Sequence, residues 1–336
     1  MKRRNSVVDA KGIALRPLGR LAATCVALAA SFVACETNLH LGGDRSSDSP
    51  DAASNGASSD GAAAAGDSLD GGADPTFAQW PVPDDSPPVT NYSIANGTVV
   101  DQTTRLMWQQ GISVGRVAWA DAARVCADLR LGGYADWSVP SRIELVSIID
   151  FTASTNSSVF NATVFPDDEP PCFWSSSKAL SKTSKAWQIQ AAHITSPADV
   201  SEVCAVRCVR GRGESPNARK EIELQGAIAI DHRTGLTWQQ LPPSTLYEAP
   251  VADEYCQALD LGGLTGGWRL PMIKELQTIV DEHRSDPAVL LGFGDNVGER
   301  WASTGYPGYA WIVNFIDGST ISQPIDQPFR VRCVHP

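Results

Sequence analysis

Apolar residues along the chain change period in a fixed order, and the order is run through twice. Thr98-Val-Val-Asp-Gln-Thr-Thr-Arg-Leu-Met-Trp108 and Ala227-Ile-Ala-Ile-Asp-His-Arg-Thr-Gly-Leu-Thr-Trp238 alternate apolar and polar around Asp101/Thr104 and Asp231/Thr234, which reads as strand, turn, strand. In the second, Gly235 supplies a positive φ at the turn. The period then lengthens. Trp119, Ala122, Ala123, Cys126 and Leu129 recur at three-to-four spacing, as do Ala252, Cys256 and Leu259, which predicts a helix in each case. Gly132-Gly133 and Gly262-Gly263 follow and read as C-cap glycines. Past Pro140 and Pro271 a second helix carries Leu145, Ile148, Ile149 and Leu276, Ile279, Val280 on one face. Ser141-x-x-Glu144 is a capping box for the first; Met272 replaces the serine in the second, which leaves Pro271 to mark that helix start. Short β-like runs around Trp174, Trp187 and Cys208, and around Trp301, Trp311 and Cys333, close each cycle. Strands, two helices, then strands is an α+β pattern.

The cycles are copies. Cys126 to Asp150 and Cys256 to Asp281 share the Gly-Gly pair, Trp137/Trp268, Pro140/Pro271, Glu144/Glu275, Leu145/Leu276 and the final aspartate. A period near 130 residues, the distance from Cys126 to Cys256, is the length of a whole domain rather than of a solenoid repeat. The expected domains are 96–212 and 222–336, two independent units joined by a polar connector, Gly211 to Glu221, open to trypsin.

The duplication also sorts the cysteines. Past Cys35 there are six, and an even count in an exported chain points to disulfides. The second copy holds only Cys256 and Cys333, so these pair; by equivalence Cys126 pairs with Cys208, and Cys172 and Cys204 are left for each other. Zinc is not expected, because Cys204-x3-Cys208 has no partner C-x-x-C.

Export is suggested by the N-terminus. Residues 1–20 are basic, and the apolar run Leu21 to Ala34 has the length of a signal h-region, short of the roughly 20 residues that span a bilayer. It ends Phe32-Val33-Ala34-Cys35, similar to a bacterial lipobox with phenylalanine in the usual leucine place, so 1–34 is expected to be a lipoprotein signal and Cys35 the lipidated residue. Residues 35–95 follow as a Ser/Ala/Gly/Asp linker with a single base, Arg45, and are expected to form a disordered tether.

Charge and motif content narrow the function. A net charge of −11 disfavours nucleic acid as a partner. No nucleophile elbow, metalloprotease helix or phosphate- or dinucleotide-binding glycine loop is present, and the five histidines are scattered, so no enzyme is expected. Trp108/Trp238, Trp137/Trp268, Trp174/Trp301 and Trp187/Trp311 recur between copies, which favours core anchors over sugar-stacking platforms.

The run D-x-x-T-G-L-x-W-Q, then A-x-x-x-C-x-x-L-x-L-G-G, W-R-L-P-x-x-x-E-L-x-x-I-x-D, W-A-S-T and V-R-C-V resembles the Lcl C-terminal domain family, named for the C-terminal domain of a bacterial collagen-like adhesin. The second copy fits throughout, with Asp231, Thr234 to Gln239, Cys256, Trp268 to Pro271, Glu275, Asp281, Trp301 to Thr304 and Val331 to Val334; the first departs at Arg105, Met107 and Ser138. The resemblance implies a C-type-lectin-like fold, whose nested bridges the Cys126–Cys208 and Cys172–Cys204 pairs match. Together with the N-terminal signal, which points to a membrane-anchored lipoprotein, it implies an envelope protein displaying two lectin-like domains for ligand binding or adhesion, with glycan or surface polysaccharide as a plausible partner. A structural envelope component without small ligand is the alternative, as is an oxidase of the formylglycine-generating type, which shares the architecture but uses free cysteines. Ligand contacts are expected where the copies differ, in Phe151–Cys172 and Glu282–Glu299, at Asp167, Asp168, Asp295, Asn296 and Glu299. No cofactor is expected; these oxygen donors are of the kind that would suit calcium, although the two sets do not align.

Overall fold

Each copy begins by pairing its first strands with its own last one. The computed structural model describes residues 77–112, 115–154, 157–166, 170–179, 184–211, 222–294 and 298–336. In the first copy β1 (Tyr92–Ala95), β2 (Thr98–Asp101) and β3 (Met107–Gln109) run antiparallel. They are followed by β4 (Val117–Ala118), α1 (Trp119–Ala127), α2 (Arg142–Ile148), β5 (Cys172–Lys178), β6 (Lys185–Gln190), β7 (Thr195–Asp199), β8 (Val203–Cys204) and β9 (Val209–Arg210). The second copy follows the same order without counterparts of β4 and β8 and with a hairpin between its helices: β10 (Ile222–Gln225), β11 (Ile228–Asp231), β12 (Leu236–Gln239), α3 (Ala249–Gln257), β13 (Asp260–Leu261), β14 (Leu264–Thr265), α4 (Ile273–Thr278), β15 (Glu299–Tyr306), β16 (Tyr309–Asn314), β17 (Thr320–Pro324) and β18 (Val334–His335). Two four-stranded sheets, β1-β2-β3-β9 and β10-β11-β12-β18, two three-stranded sheets, β5-β6-β7 and β15-β16-β17, and the two-stranded pairs β4-β8 and β13-β14 give an α+β architecture.

The turn chemistry works as the sequence requires. Asp101 accepts from the amide of Thr103 (2.8 Å) and from the hydroxyl of Thr104 (2.9 Å), which holds the β2–β3 turn closed. The left-handed residue that follows is Gly235 (φ 80°) in the second copy and Arg105 (φ 63°) in the first. At α2 the capping box is complete: Glu144 N–H donates to Ser141 Oγ (3.3 Å) and Ser141 N–H to the Glu144 carboxylate (2.7 Å). At α4 the carboxylate half survives, with Met272 N–H donating to Glu275 (2.8 Å), and the carboxylate is gripped at both oxygens by Arg269 (2.7 Å each).

The glycine pairs do something other than end a helix. The helices close earlier, with Asp128 and Ala258 as right-handed C-caps. Gly262 (φ 65°) and Gly263 (φ 78°) instead turn the β13–β14 hairpin, and Gly132 and Gly133 (φ 62° and 85°) turn the Leu131–Tyr134 bridge. A two-residue hairpin of type I′ needs positive φ at both central positions, which two consecutive glycines meet without strain.

Disulfides tie helix to terminal segment as the repeat implies. Cys126–Cys208 and Cys256–Cys333 join the end of the first helix to the residue before the last strand, and Cys172–Cys204 joins β5 to β8 in the first copy only. Around each outer bridge lies a private core, holding Trp137 and Trp174 in one copy and Trp268 and Trp301 in the other.

A third core is shared, and it overturns the expectation of two independent domains. Trp108, Leu145, Ile149 and Phe151 of the first copy and Trp238, Leu276, Ile279 and Trp311 of the second form one buried cluster. Across it α2 packs on α4 and β7 on β17. Thr195 and Thr320, which hold the same register position on their strands, face each other with oxygens 3.0 Å apart. Arg142, fully buried, donates to Glu282 (2.8 Å) and to Gln277 Oε1 (3.0 Å) across the contact. Trp311 Nε1 donates to the Phe151 carbonyl (2.9 Å). Two apolar helix faces cover each other here, so neither copy completes its core alone.

The last part of the segment expected to be a disordered tether is instead folded. Of the expected linker, residues 77–91 pack against both copies and 92–95 form β1, because Phe77, Trp80 and Val82 give this stretch apolar surface to bury. Asp85 is the clasp of this strap: its carboxylate accepts from Lys274 N–H (3.3 Å) and is hydrogen-bonded to the Thr304 hydroxyl, while its carbonyl accepts from Phe151 N–H (2.9 Å). Lys274 Nζ donates to the carbonyls of Asp84 (2.7 Å) and Ser147 (2.9 Å). Burial raises the Asp85 carboxyl above its usual range, with Lys274 pulling the other way, and burial lowers the Lys274 ammonium to about 8.

Candidate ligand site

The stretches in which the copies differ have unlike sequences but one common task. Beside the last cysteine of each copy lies a fully buried arginine, Arg207 or Arg332, donating to the paired carbonyls of Gln109 and Gln110 or of Gln239 and Gln240. The first stretch seats Phe160 and Phe165 on the Arg207 guanidinium at 5.0 and 4.6 Å, and Phe173 of β5 adds a third ring at 5.6 Å. The second seats Phe293 on Arg332 at 4.9 Å. Val159, Val164, Ala288 and Val289 are buried with them. Much of what the sequence suggests as recognition loop is therefore core, because a buried guanidinium needs an aromatic face as well as carbonyls.

What remains of the expected contacts is small. Asp167, Asp168, Asp295 and Asn296 lie outside the described residues, as does Cys35. Glu299 opens β15, half-buried and paired in register with Asn314. Among the described residues no group of three or more His, Cys, Asp or Glu side chains is placed to hold a metal ion. The recurring tryptophans are all in cores, from 0% to 4% exposed, as anchors should be. Arg269 and Glu275 are spent on each other and on the α4 cap.

An open concavity lies elsewhere, on the second copy. A cleft of about 460 Å³ separates the start of α3 from the β15–β16 hairpin. Ala249, Pro250 and Asp253 line one wall, and Ser303, Gly305, Tyr306, Pro307 and Tyr309 the other. The two tyrosines stack with centroids 5.2 Å apart and planes 21° off parallel. Tyr306 is fixed by a 2.8 Å hydrogen bond between its hydroxyl and Ser322 Oγ, while Tyr309 is 42% exposed. Asp253 accepts from Gln257 Nε2 (2.7 Å), and Ser303 donates to the Pro271 carbonyl (3.2 Å). One carboxylate and no base line the cleft, within the size range of small-ligand pockets. Sequence reasoning missed it, although Gly305-Tyr-Pro-Gly-Tyr309, absent from the first copy, was a visible signal.

The two copies fall within a single compact unit, residues 67–336. No helix among the described residues is long and apolar enough to cross a membrane. Comparison with curated proteins finds none that matches the chain. The model of the Lcl C-terminal domain matches it twice, at residues 97–210 and 227–335, each match taking in both helices, the outer disulfide and every strand of its copy but the first. By those two matches, which together span most of its length, the chain belongs to the Lcl C-terminal domain family.

Proposed function

We propose that the protein is a lipid-anchored component of a bacterial cell envelope that uses its twin domains as an adhesin-like binding body, with glycan as the favoured ligand class. The observation that carries this reading is the double match to an adhesin-type domain. A basic and apolar N-terminus ending at Cys35, followed by an acidic low-complexity run, supplies the anchor and tether. The outer bridge from first helix to chain end, with a second bridge nested inside it in the first copy, favours a C-type-lectin-like arrangement. Fold alone does not fix function, so the site must be tested residue by residue. Asp167, Asp168, Asp295, Asn296 and Glu299 are the first ligand contacts to test, since the surrounding stretches are otherwise occupied in building the core. Alanine at all five should abolish retention on a glycan array and leave the melting temperature nearly unchanged. Cys35→Ala should release the protein from membranes; palmitate label persisting in that variant would remove the anchor from the reading.

A further inference from the structure

We infer that the cleft on the second copy takes an organic ammonium group, a cationic nitrogen bearing methyl or methylene carbons, seated between the Tyr309 ring and the Asp253 carboxylate. The strongest support comes from what the first copy does in the same place. Helices α1 and α3 begin at Trp119 and Ala249, so these residues correspond. Past matching bulges, Lys178 pairs with Ala186 as Gly305 pairs with Ala310, so Lys178 and Gly305 correspond too. In the first copy the two added side chains meet: Lys178 Nζ lies over the Trp119 ring, 5.6 Å from its centroid, and Trp119 Nε1 is fixed on the Ser175 carbonyl at 2.8 Å. The first copy thus covers this region with its own ammonium-on-aromatic pair. The second removes both members, which opens the cleft, and brings in an aromatic pair from the hairpin and a carboxylate from α3, where the first copy has Ala123. Glycine is enforced at position 305, since a Cβ there would run into the Tyr309 carbonyl oxygen.

Charge and hydrogen bonding select the same class. A lone carboxylate with no base in the lining disfavours anions. The Ser303 and Tyr306 hydroxyls are already bonded within the protein. A sugar ring would find few free partners for its hydroxyls along these walls. An alkylated ammonium asks for little more than an aromatic face and an opposite charge. Such a group could belong to a free quaternary amine or to a lysine side chain of a peptide, and the test separates the two.

The full chain would be titrated calorimetrically with choline, with its uncharged isostere 3,3-dimethyl-1-butanol, and with Nα-acetyl-lysine amide. Choline should bind about tenfold more tightly than the isostere, and Asp253→Asn and Tyr309→Ala should each weaken it by about tenfold. Ala249→Trp, which restores the first copy's residue, should abolish binding. If choline does not bind and acetyl-lysine amide does, with the same dependence on Asp253, the ammonium is a lysine side chain. Equal binding of choline and its isostere would overturn the inference, as would no binding of either cation, or binding unchanged in Asp253→Asn. That variant alters a half-buried surface residue and serves as the control if Ala249→Trp does not fold. The inference concerns a different region from the glycan contacts proposed above. A glycan array that fails leaves the choline titration standing, and the reverse holds as well.

Discussion

The contact between the copies has two halves related by the repeat, and evolution has written them in different chemistry. On one side Arg142 of the first copy reaches Glu282 and Gln277 of the second. The corresponding residues on the other side are Ile273, Phe151 and Val146, all buried in the shared core. One half is an ion pair with an amide; the other is aliphatic and aromatic. A pairing of two first copies would set Arg142 against Phe151 and Val146, leaving a guanidinium buried without an acceptor. A pairing of two second copies would set Glu282 and Gln277 against Ile273. Both mismatches bury an unpaired charge, so the asymmetry makes each copy fit the other better than it fits itself. Burial raises the Glu282 carboxyl, and Arg142 opposes that rise. The pair is a specificity device rather than a strong stabiliser.

The largest expected effect tests whether the two copies lean equally on their bridges. Cys256→Ala with Cys333→Ala opens a loop of 77 residues, the only bridge of its copy, and should cost about 4–5 kcal/mol in the chain-entropy picture. Removing Cys172–Cys204, a loop of 32 residues in a copy that keeps its outer bridge, should cost about 3–4 kcal/mol. Denaturant unfolding of both variants gives the ratio. Next, Arg142→Ala should destabilise by about 3 kcal/mol, because Glu282 is left buried without its partner. The double variant Arg142→Ile with Glu282→Phe writes the apolar half onto the polar one and should recover most of that loss; no recovery would mean that the ion pair is needed for more than pairing.

Titration of Lys274 comes third. Its ammonium is lowered to about 8 by burial, whereas in the unfolded chain it titrates near ~10.4. Between those values the unfolded chain holds a proton that the folded chain has released, so stability rises with pH across that window, by up to ~3 kcal/mol, and this gain is lost as pH falls through 8. Lys274→Met should flatten the slope. Asp85 acts in the opposite sense at acid pH, since a carboxyl raised by burial contributes stability that is lost as pH rises through its folded value. The smallest effect is expected from trypsin at the connector, residues 211–221. The nicked halves should co-elute in gel filtration, because the shared core and not the connector joins them. Separation of the halves would restore the picture of independent domains.

The repeat made the element order, the outer bridges and the tryptophan anchors legible, because each rests on residues that recur at matched positions. It could not show the shared core. An apolar stripe such as Leu145, Ile148 and Ile149 looks the same whether it covers its own sheet or a neighbouring copy. The glycine pairs were ambiguous for a related reason, since helix ends and tight hairpins both demand positive φ. The cleft escaped because it comes from residues the second copy lacks, Ala249 in place of Trp119 and Gly305 in place of Lys178. The acidic runs marked stretches that mostly serve Arg207 and Arg332, because their aromatic residues are buried against those guanidinium groups.

The strap carries a consequence for the order in which the molecule can be finished. Asp85 leaves the ribosome early, yet its partners Lys274 and Thr304 come 189 and 219 residues later. Contacts so distant in sequence are slow to form, because the loop must close before anything rewards it. The strap is made before both copies yet is the last to settle, and until the second copy is complete Phe77, Trp80 and Val82 have no finished surface to lie on. A newly made chain would pass through a state with this apolar stretch uncovered. Holding that stretch apart from its neighbours until the closing residues arrive is a task for whatever attends the chain while it folds.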